Sequence, residues 1–389
     1  MKNEPSFFLR QKILQKLLIG LLFFSSAAWI PQAWQSRLAP RWFHGDRHLQ
    51  EALAKSVEEW MNKPLTRKNF STSSKQFDGE WLYGTYLMSA LGFFQMAQEH
   101  PEQKTHYAAQ MEKAIDLLLK KPVRQFDTES WNNSDPLESL DSNEGHAAYL
   151  GYLNLAMSLH RSLNPQSKFI ALNNKISTAL RRRIEASPTL LIATYPEETY
   201  PLDNCTVMVS LFLNAKIRNQ STDLSKRWIK QCRKKWIDPK SGLLFQGVNW
   251  RTGQPGDAPR GSGTTLGLYF LSFMDPTLSR DLYTAVKREL ASTLFGFGFV
   301  REYPNSIKNR SGDIDSGPLI FGYSISSTGF ALGGARIHHD PDYFRALYAS
   351  ASAAGAPLQT QNKFHFVTGG PLGDAILFAM LTAQPTPEI

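Results

Sequence analysis

Apolar side chains recur at three- and four-residue spacing over residues 47–62, 80–98, 104–120, 143–163, 166–186, 204–218 and 222–237. The same period continues over 262–274, 277–295, 317–335, 340–354 and 371–383. Such spacing keeps one stripe of a 3.6-residue helix apolar, so it predicts about twelve helices in about six consecutive pairs. Alternating patterns are scarce, and 243–245 and 297–300 read as short connecting strands. No low-complexity linker divides the chain, so a single domain is expected from about residue 40 to 389, preceded by a separate segment over 1–33.

Six helical hairpins closed into a ring make an all-α (α/α)6 toroid, with one helix of each pair lining the centre. Such a ring gathers its functional groups in the loops at one end of the inner helices. Five loops at predicted helix starts are polar and aromatic: Phe77-Asp78-Gly79-Glu80-Trp81, Asp141-Ser142-Asn143-Glu144-Gly145-His146, Tyr200-Pro201-Leu202-Asp203-Asn204-Cys205, Asp257-Ala258-Pro259-Arg260-Gly261-Ser262 and Asp313-Ile314-Asp315. They stand about 55 to 65 residues apart, close to one hairpin each, which is the spacing a ring needs to point them at one cavity. The alternative is an irregular bundle whose polar loops are caps and turns facing water in different directions.

Composition narrows the class. With 389 residues, 42% of them hydrophobic, the chain can bury a large core and lacks the make-up of a disordered or collagen-like protein. The net charge of +9 is scattered rather than interleaved with aromatics, so it reads as solvated helix faces and not as a nucleic-acid footprint. Two cysteines, Cys205 and Cys232, exclude a disulfide framework. Lys2, Arg10, Lys12 and Lys16 precede an apolar run over 17–30, the form of a signal peptide or uncleaved signal anchor. Export to the periplasm or to the outer face of the inner membrane follows as an expectation, with membrane association open.

Several segments together resemble the linalool dehydratase/isomerase family, exported bacterial α/α-toroid enzymes that remove water from, or rearrange, a terpene alcohol. The resemblance is carried by Gly151-Tyr152-Leu153-Asn154-Leu155, Tyr200-Pro201-Leu202-Asp203-Asn204 leading into Cys205, 236–242, 274–276, Asp313-Ile314-Asp315-Ser316-Gly317 with 328–336, and 373–378. It implies a toroid and acid–base lyase or isomerase chemistry on an alcohol. The chain departs from the family's pattern at two places. Tyr152 stands where the family has a histidine, the nearest Gly-His pair being Gly145-His146, and Tyr200 stands where a second cysteine is expected.

The candidate catalytic residues are Asp313, Asp315, Asp203, His146, Cys205 and Asp78. Asp313 and Asp315 fall on one face of an extended loop, where repulsion raises one pKa and creates an acid beside a base; the competing reading is a cap and an Asx turn. Cys205, in a first helical turn, gains thiolate character as a nucleophile or is simply buried. His146 is an acid or base, or a packing residue. Candidate substrate-binding residues are Glu80, Trp81, Tyr83, Asn143, Glu144, Tyr152, Tyr200, Asn204 and Arg260. No metal site or cofactor is expected, since no phosphate loop, nucleotide fingerprint or zinc motif occurs and His338-His339-Asp340 sits in an apparent turn. Glycoside cleavage needs the same parts as dehydration, a protonated carboxyl and a second carboxylate, so a glycan hydrolase or lyase is the alternative. A non-catalytic envelope protein binding glycan or lipid is the third reading.

Overall fold

The computed structural model describes residues 7–308 and 310–385. Six helices, α4 (Lys75–Glu99), α7 (Ala147–Leu163), α9 (Pro201–Ile217), α11 (Gly261–Leu271), α13 (Ile325–Ile337) and α15 (Gly370–Thr382), pack each against the next, and α15 packs back on α4 to close a ring. Each is backed by an outer helix. These are α5 (Lys104–Leu118), α8 (Ile170–Ala186), α10 (Asp223–Gln231), α12 (Pro276–Glu289), α14 (Pro341–Gly355) and, behind α15, α3 (Arg47–Asn62). This is the predicted all-α toroid. Short helices α2 (Ala39–Phe43) and α6 (Lys121–Ser130) and a long N-terminal α1 (Phe7–Gln35) complete the helices.

Local chemistry sets the helix starts. Asp46, Asp275 and Asp340 each accept a hydrogen bond from the backbone N–H three residues on, which explains the pairs Asp275-Pro276 and Asp340-Pro341 as N-caps followed by a proline at the first helical position. The His338-His339-Asp340 cluster is thereby accounted for in part, since Asp340 caps α14 and His338 bonds Ser279. The ring closes tightly because α4 presents Gly92 to α15: a Cβ there would lie 2.2 Å from Phe378 Cδ1. At the C-terminal ends of the inner helices the centre is filled with aromatics. Phe94 meets Phe273 at 6.1 Å and Gln95 donates to the Tyr269 hydroxyl, contacts that join α4 to α11 across the ring. The centre is therefore plugged at that end.

Three antiparallel hairpins lie outside the ring: β1 (Ala291–Leu294) with β2 (Phe297–Val300), β3 (Leu319–Ile320) with β4 (Tyr323–Ser324), and β5 (Pro357–Gln359) with β6 (Phe364–Phe366). The first two replace parts of the predicted helices 277–295 and 317–335. The physical reason is a Phe-Gly pair at each tip, Phe295-Gly296 (φ 49 and 81) and Phe321-Gly322 (φ 53 and 84), which reverses the chain in two residues.

α1 runs unbroken to Gln35, and its end docks on the toroid: Gln32 Nε2 donates to Gly296 O (3.3 Å) and Ser352 Oγ donates to Gln35 Oε1 (2.6 Å). Among the described residues no helix is long and apolar enough to cross a membrane. The expected segment over 1–33 lies partly outside the described residues.

Candidate active site

The N-terminal ends of all six inner helices open on one cavity of about 520 Å³. Each contributes side chains from its first turns: Glu80 and Trp81 from α4, Ala148 and Tyr152 from α7, Asp203 from α9, Ser262 and Leu266 from α11, Ser326 and Phe330 from α13, Leu372 and Ile376 from α15. The loop ahead of β3 adds Asp313, Ile314 and Asp315, and the loops around α9 and α11 add Thr194, Tyr195, Glu198, Tyr200, Asp257 and Arg260. Converging helix starts bias the cavity positive, an environment in which carboxylates collect.

Three carboxyl groups there are held above their ordinary range. Asp315 is pushed to about 7, first by the protein packed around it and then by the neighbouring Asp313 charge, with Arg260 opposing. Its surface stays open to water because it faces the cavity, and its one hydrogen bond is from Gln246 Nε2 at 3.4 Å. Glu80 is likewise raised to about 7 by burial, although Tyr195, whose hydroxyl donates to Oε1 at 2.6 Å, and Gln76 favour its charged form. Asp203 is raised to about 6 by burial. The Tyr152 hydroxyl donates to its Oδ1 (2.6 Å) and Thr194 Oγ1 to its Oδ2 (2.9 Å), so both oxygens are fixed as acceptors. The three act on one another electrostatically, since Asp315 and Asp203 each raise Glu80 and Asp203 also raises Asp315.

Asp313 is different. Burial works against its charge, but the Arg260 guanidinium grips both oxygens, at 2.5 and 2.6 Å, and holds it below the usual range. Arg260 in turn is buried against Glu302, which is fully enclosed and accepts from Arg260 Nε (2.7 Å), Ser262 Oγ (2.6 Å), Ser262 N (3.2 Å) and Ser327 Oγ (2.7 Å). The ion pair therefore anchors the site loop to the starts of α11 and α13. It leaves Asp315 as the loop's free carboxyl.

Of the residues singled out from the sequence, Asp203, Asp313, Asp315, Glu80, Trp81, Tyr83, Tyr152, Tyr200 and Arg260 line the cavity. Others are placed elsewhere. Asp78 accepts from Thr72 N and Oγ1, both at 2.8 Å, and closes the turn before α4. His146 is buried, with Nδ1 2.6 Å from Asp127 Oδ2 and its ring 4.6 Å from Trp131. Cys205 is fully buried off the cavity wall, and burial raises its thiol well above the ordinary range, away from thiolate character. Asn204 exchanges hydrogen bonds with the Ile192 backbone, Glu144 accepts from Ser134, and Asn143 is exposed outside the cavity. The pairing of Tyr195 with Glu80 and of Tyr200 with Glu198 Oε2 (2.6 Å) was not legible in sequence, because 115 residues separate the first pair and the second sits in a turn with no periodicity.

No family model matches the sequence, and no curated protein matches it. Among solved structures the chain is similar in fold to the GH76A alpha-1,6-mannanase from Salegentibacter sp. HEL1_6, with a TM-score of 0.50 and 11% identity over 86% of this chain and 98% of that one. A family 105 glycoside hydrolase from C. acetobutylicum ATCC 824 follows, with a TM-score of 0.49 and 12% identity over 87% of this chain and 99% of that one. Unsaturated glucuronyl hydrolase from Bacillus sp. GL1 gives 0.48 and 10% over 85% and 94%. The likeness to the first of these supports the α/α-toroid fold. These findings correct the resemblance to linalool dehydratase/isomerase and the alcohol lyase or isomerase chemistry it implied: no family model supports it, and the fold likeness runs to glycan-active enzymes. The quoted segments were short Asp-Pro and Gly-rich pieces, and several prove to be helix caps and close packing contacts such as Gly151 against Val207.

Proposed function

We propose that this protein is a glycan-active hydrolase, cleaving a glycosidic bond in the cavity at the open end of the toroid. The observation that carries the reading is the convergence of Asp315, Asp203 and Glu80, all with raised pKa, on one cavity. Glycoside cleavage needs an acid that still holds its proton near neutrality and a carboxylate that has lost its own. Asp315, at about 7 and facing the cavity with one long hydrogen bond, is the proton donor to the glycosidic oxygen as its bond to the anomeric carbon breaks. Asp203, at about 6 and held by two donors, is the ionised partner that gives an electron pair to water or to that carbon. Glu80, raised to about 7 like Asp315, borders the same space as a second carboxyl that keeps its proton over most of the range between the Asp203 and Asp315 values, and Trp81 offers a ring face for stacking.

The fold likeness to the mannanase supports a glycan as substrate class and leaves the sugar open. The acid's pKa lies above the base's, so turnover has a window between about 6 and about 7. Asp203→Asn is expected to lower kcat by about 10³-fold or more and to remove the acidic limb of the kcat/KM profile. Retention of that limb at wild-type position in the residual activity assigns the base elsewhere.

A further inference from the structure

Two hairpins beside the cavity mouth carry apolar side chains into solvent. The β3–β4 hairpin follows the Asp313–Asp315 loop directly and leads into α13, whose Ser326 lines the cavity, so its tip stands at the rim. At that tip Phe321 is 91% exposed, flanked by exposed Ile320 and Ile325. Nothing in folding accounts for Phe321. Exposure gives it no burial energy, and a φ of 53 places a bulky residue in the left-handed region, where asparagine or glycine would be less strained. The β1–β2 hairpin turns on a second Phe-Gly pair, at φ 49 and 81, and exposes Leu294. The two hairpins are tied together by Tyr323, whose hydroxyl donates to Ser292 Oγ (3.0 Å) and whose ring lies 5.3 Å from Phe299.

The apolar edge continues. Gly296 at the β1–β2 tip accepts from Gln32 of α1, and α1 exposes Trp29, Ile30 and Trp34 around that contact and Leu14, Leu17, Leu18 and Ile19 further along. Exposed cations accompany α1: Lys12 and Lys16 on the helix, Arg37 just after it, and Arg345 bonded to Ser36. Leu294, Ile320 and Ile325 offer no ring to a sugar, and an apolar edge that mixes them with tryptophans and cations matches a bilayer interface with anionic headgroups.

We infer that the two Phe-Gly hairpins and α1 form one membrane-docking edge that seats the cavity mouth on an anionic phospholipid surface. The protein lies on the membrane by these tips, without a spanning segment among the described residues. The inference stands apart from the glycan reading, since docking requires no turnover.

The test is co-sedimentation of the full chain with phosphatidylcholine vesicles, with and without about 30% phosphatidylglycerol. The wild type is expected to partition onto the anionic vesicles, and Phe321→Asn together with Ile320→Ser to lower that partition about tenfold or more. Because asparagine suits the left-handed turn, Tm should hold or rise. Turnover of a soluble glycoside should be unchanged in this variant, so loss of docking is separable from failure of the active site. Absence of wild-type partition, equal partition by the variant, a fall in Tm, or a dimer in light scattering that the variant dissolves would each overturn the inference.

Discussion

Asp315 draws its role from two neighbours that oppose one another. The Asp313 charge pushes its proton affinity up, while Arg260 pulls it down, and the tight Arg260–Asp313 pair mutes the cation's share. Asp313→Asn removes the like charge and leaves Arg260 less neutralised, so both changes lower the Asp315 pKa. The alkaline limb of kcat/KM is expected to move down from about 7 towards the ordinary carboxyl range, and a pH profile of this variant checks it. An unmoved limb would show that Asp315 is not the acid. At this scale the sequence was informative where chemistry is local. Asp313 and Asp315 two residues apart, and Asp203 beside Tyr200, were legible because chain spacing alone puts them near a helix start. His146, Cys205 and Asp78 were ambiguous because identity does not report burial: Asp127 and Trp131, which enclose His146, come from α6 and the turn after it, elements the periodicity did not pick out.

Glu302 acts between elements. Its carboxylate, fully enclosed, ties the connector after β2 to Arg260 and Ser262 at the start of α11 and to Ser327 at the start of α13. Glu302→Ala leaves Arg260 buried with half its counter-charge and two hydroxyls without their acceptor. A loss of about 3 kcal/mol is expected, read as a fall in the denaturant midpoint, together with weaker turnover as the Asp313 loop loosens. A variant as stable as wild type would mean that the pair with Asp313 suffices. The inner and outer helices were legible from their 3.6-residue period, as were their approximate ends. The two Phe-Gly hairpins were not, since Leu294, Phe295, Ile320 and Phe321 add to a helical pattern while lying exposed at a turn, and apolar residues in solvent defeat any inference from periodicity to burial.

For the whole molecule, ring closure turns six separated helix starts into one site. The α4–α15 seam at Gly92 and the aromatic plug joining α4 to α11 fix which end is open, and the acids stand at that end. Four of the five polar loops carried this much in advance, the 141–146 loop lying off the cavity, whereas long-range chemistry such as Tyr195 with Glu80 waits on the ring itself. The family resemblance failed because short segments common to helical hairpins report packing and capping rather than the reaction. The central claim is that Asp315 donates the proton in glycosidic cleavage. Its most direct test is the release of reducing ends from a panel of α- and β-linked glycans, comparing wild type with Asp315→Asn at pH 6.5, inside the window bounded by Asp203 and Asp315 at about 6 and about 7. The account predicts cleavage of at least one glycan by the wild type and a loss of about 10³-fold or more in the variant, with Tm retained. Undiminished cleavage by the variant, or no cleavage of any glycan by a folded wild type, would contradict it.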